Sequence, residues 1–114
     1  MTLDLFDQWN SALKTQDPYK ILALYAPDSI LLPTLSNQVC DTPEKKLTYF
    51  KQFCAKGPVG TINESYIRHY DEVTIHSGIY TFSFSDQTSA TARFTYVYQN
   101  FLILEHHSSL LPES

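Results

Sequence analysis

Residues 89–98 read Ser89-Ala90-Thr91-Ala92-Arg93-Phe94-Thr95-Tyr96-Val97-Tyr98. Successive side chains of an extended chain point to opposite faces, so Ala92, Phe94, Tyr96 and Tyr98 fall on one side. Thr91, Arg93, Thr95 and Val97 fall on the other. An aromatic face backed by a mixed one describes a strand that lines a core on one side only. The same alternation precedes it in Ile79-Tyr80-Thr81-Phe82-Ser83-Phe84, where Tyr80, Phe82 and Phe84 share a face. Asp86-Gln87 between the two blocks predicts a turn. Downstream, Gln99-Asn100 predicts a tight hairpin into a last strand over residues 101–109. Upstream, residues 61–70 and 72–76 are rich in Ile, Val, Tyr and Thr and predict two more strands.

The first half follows a different period. Leu5, Phe6, Trp9 and Leu13 recur at spacings of three and four, with Asp4, Asp7, Gln8 and Asn10 between them, which predicts an amphipathic helix of about four turns. Asp17-Pro18 supplies an N-cap followed by proline at the first helical position. The short helix it opens carries Ile21, Leu22 and Tyr25 and stops before Pro27. Residues 29–32 read as a short strand ended by Pro33. Thr42-Pro43 repeats the cap-plus-proline signal and opens a third helix with Leu47, Phe50 and Cys54 on one face. Phe53 lies beside them and Tyr49 on the flank, and Gly57-Pro58-Val59-Gly60 closes the helix. Helices first and antiparallel strands afterwards predict an α+β domain over residues 1–114. In it a long curved sheet packs on the N-terminal helices and leaves a pocket at its open end.

Composition agrees with a folded domain of ordinary size. Of 114 residues, 43% are apolar and 14% aromatic, enough for a core or an aromatic-lined cavity. The net charge of −4, with no basic cluster, argues against a nucleic-acid partner. No stretch approaches the ~20 apolar residues that span a bilayer. Residues 1–7 lack the basic segment and apolar run of a secretory signal. Cys40 and Cys54 are therefore expected as reduced thiols in a cytoplasmic protein without membrane association.

Metal and covalent chemistry find little support in the spacing. Glu105, His106 and His107 are consecutive, so on a strand the two imidazoles point apart, and His69 and His76 match no tight ligand pattern. No metal and no cofactor are expected. No glycine-x-serine-x-glycine elbow and no glycine-rich phosphate loop occur. The last strand is more informative. Counted by alternation, Phe101, Ile103, Glu105, His107 and Ser109 share a face that begins apolar and turns into carboxylate, imidazole and hydroxyl. Such a face suits a pocket with a polar mouth or floor, where Thr34 and Tyr49 are candidate uncharged partners. Arg93, alone in a threonine-rich and apolar strand, either snorkels to solvent or balances an anion in a cavity.

The segment Ala92-Arg93-Phe94-Thr95-Tyr96-Val97-Tyr98, followed by His106-His107-Ser108-Ser109-Leu110-Leu111-Pro112-Glu113, resembles the signature of the calcium/calmodulin-dependent protein kinase II association-domain family. The nearest likeness is to its small stand-alone branch. Leu24-Tyr25-Ala26-Pro27-Asp28-Ser29-Ile30-Leu31-Leu32-Pro33-Thr34-Leu35-Ser36 fits as well, as do Thr42-Pro43 leading to Tyr49-Phe50 and Gly78-Ile79-Tyr80-Thr81-Phe82. The resemblance implies the nuclear-transport-factor-2-like cone, three helices wrapped by a curved, mostly antiparallel sheet around a cavity, commonly paired as a homodimer. Some stand-alone members are iota-class carbonic anhydrases that work without a metal. Their threonine after the leucine-leucine-proline strand, helical tyrosine and final His-x-Ser pair match Thr34, Tyr49, His107 and Ser109. The resemblance then implies carbon dioxide and bicarbonate as ligands, with His107 as base or orienter of water. Phe101 and Ile103 would form apolar walls and Arg93 a substrate contact. The chain departs from the family at Val39-Cys40-Asp41, where an arginine is frequent, at Phe101, where tryptophan is common, and in a short final hairpin. Two other readings are a non-catalytic assembly or ligand-binding module and a different small-molecule enzyme based on Glu105 or on His69 with Asp71.

Overall fold

The computed structural model describes residues 5–34 and 36–112. Three helices, α1 (Leu5–Lys14), α2 (Pro18–Leu22) and α3 (Pro43–Cys54), accompany five strands, β1 (Tyr25–Leu32), β2 (Val59–Tyr70), β3 (Val73–Ser83), β4 (Ser89–Gln99) and β5 (Leu102–Leu110). The strands form one sheet in the order β1-β5-β4-β3-β2, with β1 parallel to β5 and every other pair antiparallel. The α+β class and the mostly antiparallel curved sheet are as the alternation implies.

Both cap-plus-proline signals act as read. Asp17 accepts from the Tyr19 amide at 3.0 Å and Thr42 from the Lys45 amide at 3.2 Å, satisfying donors that the first turn leaves free. Other expectations are corrected. Among the described residues the first helix covers Leu5–Lys14 and buries Asn10 with Phe6, Trp9 and Leu13, while Asp4 of the expected helix lies outside the described residues. Asn10 is no surface residue because its amide mimics a strand: Nδ2 donates to the Gly60 carbonyl and Oδ1 accepts from the Gly60 amide, both at 2.9 Å. The second helix stops at Leu22, and Tyr25 opens β1 instead of closing the helix. Pro27 then falls where the β1–β5 pairing lapses, between Tyr25 and Ile30, so its missing amide costs no ladder bond.

Residues 72–76 and 79–84 are not separate strands. They belong to one continuous β3 with Gly78 at its middle. A Cβ on Gly78 would collide with the carbonyl oxygen of Glu64, at the place where β2 bulges between Ile62 and Glu64. Glycine is needed there for this close backbone approach.

The last hairpin turns one residue later than expected. Asn100 and Phe101 both take left-handed φ, 53° and 65°, the two-residue turn that matches strand twist. Phe101 is thus a turn residue, 69% exposed. Beyond it Tyr98 faces Ile103 while Val97 faces Glu105, so Leu104 is an extra residue in β5.

The core lies between the helices and the inner sheet face, where Phe6, Trp9, Phe50, Phe53, Tyr80, Phe82, Phe94 and Tyr96 pack. Among the described residues one charged side chain is sealed from solvent. Lys46 of α3 is fully buried, and its Nζ donates to Ser29 Oγ at 2.6 Å and to the Ser29 carbonyl at 2.9 Å, with the Ala26 carbonyl at 3.4 Å. Burial lowers its pKa. These bonds fasten α3 to β1.

Gly78→Ala is expected to destabilise the fold by about 3 kcal/mol, because backbone and not a flexible side chain must give way. Urea denaturation of the two proteins measures the difference, and equal midpoints would contradict the close approach.

Candidate functional site

The extra residue Leu104 reverses the alternation of β5. Across from β4, Tyr96 faces His106 and Phe94 faces Ser108, whereas Thr95 faces His107 and Arg93 faces Ser109. Tyr96 and Phe94 belong to the inner face, so His106 and Ser108 point into the core, 3% and 5% exposed. His107 and Ser109 share the outer face with Arg93, and both are half-buried there.

Inside, a chain of hydrogen bonds runs through the aromatic core. Trp9 Nε1 donates to Tyr25 Oη at 3.0 Å. Tyr25 Oη lies 2.7 Å from His106 Nδ1, and Tyr80 Oη lies 3.1 Å from His106 Nε2. Tyr80 Oη donates to Ser108 Oγ at 2.6 Å, and Ser108 Oγ is bonded to Thr34 Oγ1. Five elements contribute to this chain: Trp9 from α1, Tyr25 from β1, Tyr80 from β3, His106 and Ser108 from β5, and Thr34 from the loop after β1. Tyr96 stacks on the His106 ring at 4.0 Å and Trp9 meets it edge-on at 5.6 Å.

The chain ends in a small hollow. Thr34, Tyr49, His106 and Ser108 give it a polar end, and Trp9, Leu31, Phe50, Phe53 and Phe82 give it apolar walls. The space in which the centre of a water molecule can sit is about 10 Å³, room for roughly one water. Tyr49, stacked on Phe53 at 5.6 Å, stands between this hollow and a wider surface groove of about 250 Å³ lined by Ser36, Gln38, Cys40 and Thr48. Among the described residues no three His, Cys, Asp or Glu side chains converge as a metal site would require.

Electrostatics keep the site neutral. Burial away from water pushes the His106 pKa down to about 3, with the neighbouring His107 adding in the same direction. Burial also raises the Tyr25 and Tyr80 hydroxyls well above their ordinary value. His106 lines the hollow with both ring nitrogens held by tyrosines. It acts through Tyr80, Ser108 and Thr34.

Of the residues singled out from sequence, Thr34 and Tyr49 reach the hollow. His107 and Ser109 do not, and their neighbours His106 and Ser108 stand there instead. Arg93 is exposed on the outer face, Phe101 is exposed at the hairpin turn, and Ile103 is buried in the core but does not line the hollow. Glu105 and the His69–Asp71 region are exposed and lie away from it. The signal that marks the reversal is the run Leu102-Ile103-Leu104, three apolar residues in a strand that otherwise alternates. Trp9, Tyr25 and Tyr80 read only as core, since aromatic core positions carry no mark of a hydrogen-bonded hydroxyl.

The family model for the calcium/calmodulin dependent protein kinase II association domain matches residues 2–112. A crystal structure of such an association domain from Xanthomonas campestris is similar with a TM-score of 0.90 and 42% identity, covering 96% of this chain and 85% of that one. An NTF2-like protein from Pseudomonas putida (TM-score 0.81, 14% identity, 96% and 83% covered) and an NTF2-like superfamily protein from Salmonella enterica (0.78, 13%, 96% and 88%) share the fold. No curated protein matches the chain.

Two outcomes follow from the buried network. The folded protein keeps His106 neutral, while the unfolded chain takes up a proton below about pH 6.5, so the unfolded state binds more protons and acid favours it. Stability is full above pH 6.5 and falls toward pH 3 by up to about 1.4 kcal/mol per pH unit. His106→Gln should lack this part of the slope when the two proteins are unfolded in urea across that range. The Tyr96 hydroxyl is buried and finds no hydrogen-bond partner among the described residues. Tyr96→Phe should therefore be neutral or stabilising by about 1 kcal/mol, whereas Tyr80→Phe strips partners from His106 and Ser108 and should cost about 1–3 kcal/mol. Thermal melts separate the two.

Proposed function

The chain belongs to the calcium/calmodulin-dependent protein kinase II association-domain family, and from that premise and the make-up of its hollow we propose that it hydrates carbon dioxide reversibly without a metal, as an iota-class carbonic anhydrase. The observation that supports this reading is the hollow together with the groove beside it: the hollow seats one water against apolar walls and uncharged hydroxyls, and the groove of about 250 Å³ that shares Tyr49 has the room for the substrate. Thr34, Tyr49, His106 and Ser108 carry the His-x-Ser and threonine–tyrosine pattern in the frame that points inward.

The reaction needs a water beside an apolar seat for a linear, nonpolar substrate. As the water oxygen bonds to carbon, one C=O π pair moves onto an outer oxygen, and the proton leaves the water oxygen for solvent buffer. The product is bicarbonate. Hydroxyl donors placed where negative charge develops lower the barrier, since they need no reorganisation during the step. Thr34 and Ser108 serve as that cradle, Tyr49 orients the entering molecule from the rim, and His106 holds Tyr80 and through it Ser108.

Stopped-flow hydration of carbon dioxide tests the reading. Thr34→Ala and Ser108→Ala should each lower kcat/KM by about a hundredfold, while His107→Ala and Ser109→Ala stay within about twofold, and a chelator should leave the wild-type rate unchanged. A wild-type rate equal to that of buffer removes the catalytic reading.

The outer sheet face supports a second, compatible reading as a homo-oligomer. Tyr66 and Tyr70 are each 58% exposed there, beside partly exposed Ile75, Ile79 and Val97. These apolar side chains alternate with exposed Arg68, Arg93 and Glu105 on the same face, a mixed surface that suits burial against another copy. Light scattering is expected to give a multiple of 13.1 kDa, and Tyr66→Glu with Tyr70→Glu should return the monomer mass.

A further inference from the structure

We propose that the buried hydrogen-bond chain is polarised in one direction, from Trp9 to Thr34, so that the Thr34 hydroxyl donates into the hollow and Trp9 is the positioning residue that sets this direction. The inference deepens the reading above, since it states what the hollow presents to a ligand: a fixed donor, matched to an oxyanion such as bicarbonate.

The indole N–H is a donor and nothing else. Trp9, 2% exposed, aims it at Tyr25 Oη at 3.0 Å, which occupies that oxygen as an acceptor. The single proton of Tyr25 must then go to its other partner, His106 Nδ1 at 2.7 Å; otherwise a buried hydroxyl hydrogen is left unbonded. A neutral imidazole whose Nδ1 accepts carries its proton on Nε2, which faces Tyr80 Oη at 3.1 Å. Tyr80, now an acceptor from His106, donates to Ser108 Oγ at 2.6 Å. Ser108 passes its hydrogen to Thr34 Oγ1, and the Thr34 hydrogen, which reaches the Tyr80 oxygen when the hollow is empty, is the one hydrogen of the chain that turns to a ligand there. Every link follows from the one before. The groups around the imidazole keep it neutral: Tyr25, Tyr80, Tyr96 and Trp9 are uncharged, and His107 points to the opposite face. A chain so arranged stabilises negative charge in the hollow and does not accept a proton from it.

The tautomer of His106 reads the direction without any turnover. Nitrogen-15 imidazole spectra of the full chain at pH 7.5 should show His106 as the Nε2–H form; the Nδ1–H form or an imidazolium would overturn the proposal. Trp9→Phe keeps the ring and removes the donor, freeing Tyr25 to turn. It should populate the Nδ1–H form and weaken sodium bicarbonate binding, followed by His106 and Thr34 shifts, about tenfold. An unchanged tautomer and affinity in this variant would overturn the role of Trp9. If Trp9→Phe fails to fold, Tyr25→Phe makes the same test, since it leaves Nδ1 without a donor and should release the same mixture of tautomers. An Nε2–H wild type that shows no hydration activity keeps the polarity and removes only the carbonic anhydrase reading.

Discussion

A single added residue in the last strand decides what the interior contains. Strand side chains alternate strictly, so one bulge exchanges the two faces for everything that follows. Were Leu104 paired in regular alternation instead of bulged, Glu105 and His107 would turn inward and two charged or chargeable groups would meet the aromatic core. With it, the inward residues are His106 and Ser108, both small enough and neutral enough to be absorbed by hydrogen bonds. The hydroxyls of Tyr25 and Tyr80 then have an imidazole between them, and Thr34 has a serine to bind. The contacts that His106 and Ser108 make in the hollow lie downstream of that one bulge.

The rest of the fold holds this arrangement from several sides at once. Trp9 comes from a helix pinned to β2 by the paired Asn10–Gly60 bonds, and Tyr25 comes from a strand fastened to α3 by Lys46. Tyr80 sits two residues beyond Gly78, where β2 and β3 approach too closely for a side chain. A polar network inside an aromatic core is costly when any member lacks a partner. Here its members are drawn from elements that are each locked by their own local contacts, so the network adopts one geometry.

The sequence disclosed the fold more readily than the site. Alternation over residues 92–98, two Asx/Thr-Pro caps and the order of helices before strands were enough for the architecture, because each rests on local backbone preference. The site depended on counting along β5, and counting fails where a bulge hides. Thr34 and Tyr49 are legible as uncharged donors after the Pro33 strand end and on the flank of α3, and the family resemblance is what assigns them to the site. His106 and Ser108 were displaced by one because His106-His107-Ser108-Ser109 contains the same His-x-Ser spacing in both frames. The burial of Lys46 is not legible for a related reason: a lysine on a helix reads as surface, and nothing local marks the carbonyl oxygens of another strand that converge on it.

That lysine has a consequence for how the hollow opens. Tyr49, Phe50 and Phe53, which wall the hollow, ride on the same helix as Lys46, so this wall can lift as a unit only by tearing an ammonium away from the oxygens of residues 26 and 29. The amine would then meet solvent for the first time. Its reactivity toward an acylating reagent therefore keeps time with the breathing of that wall, a chemical clock built into the helix that guards the entrance.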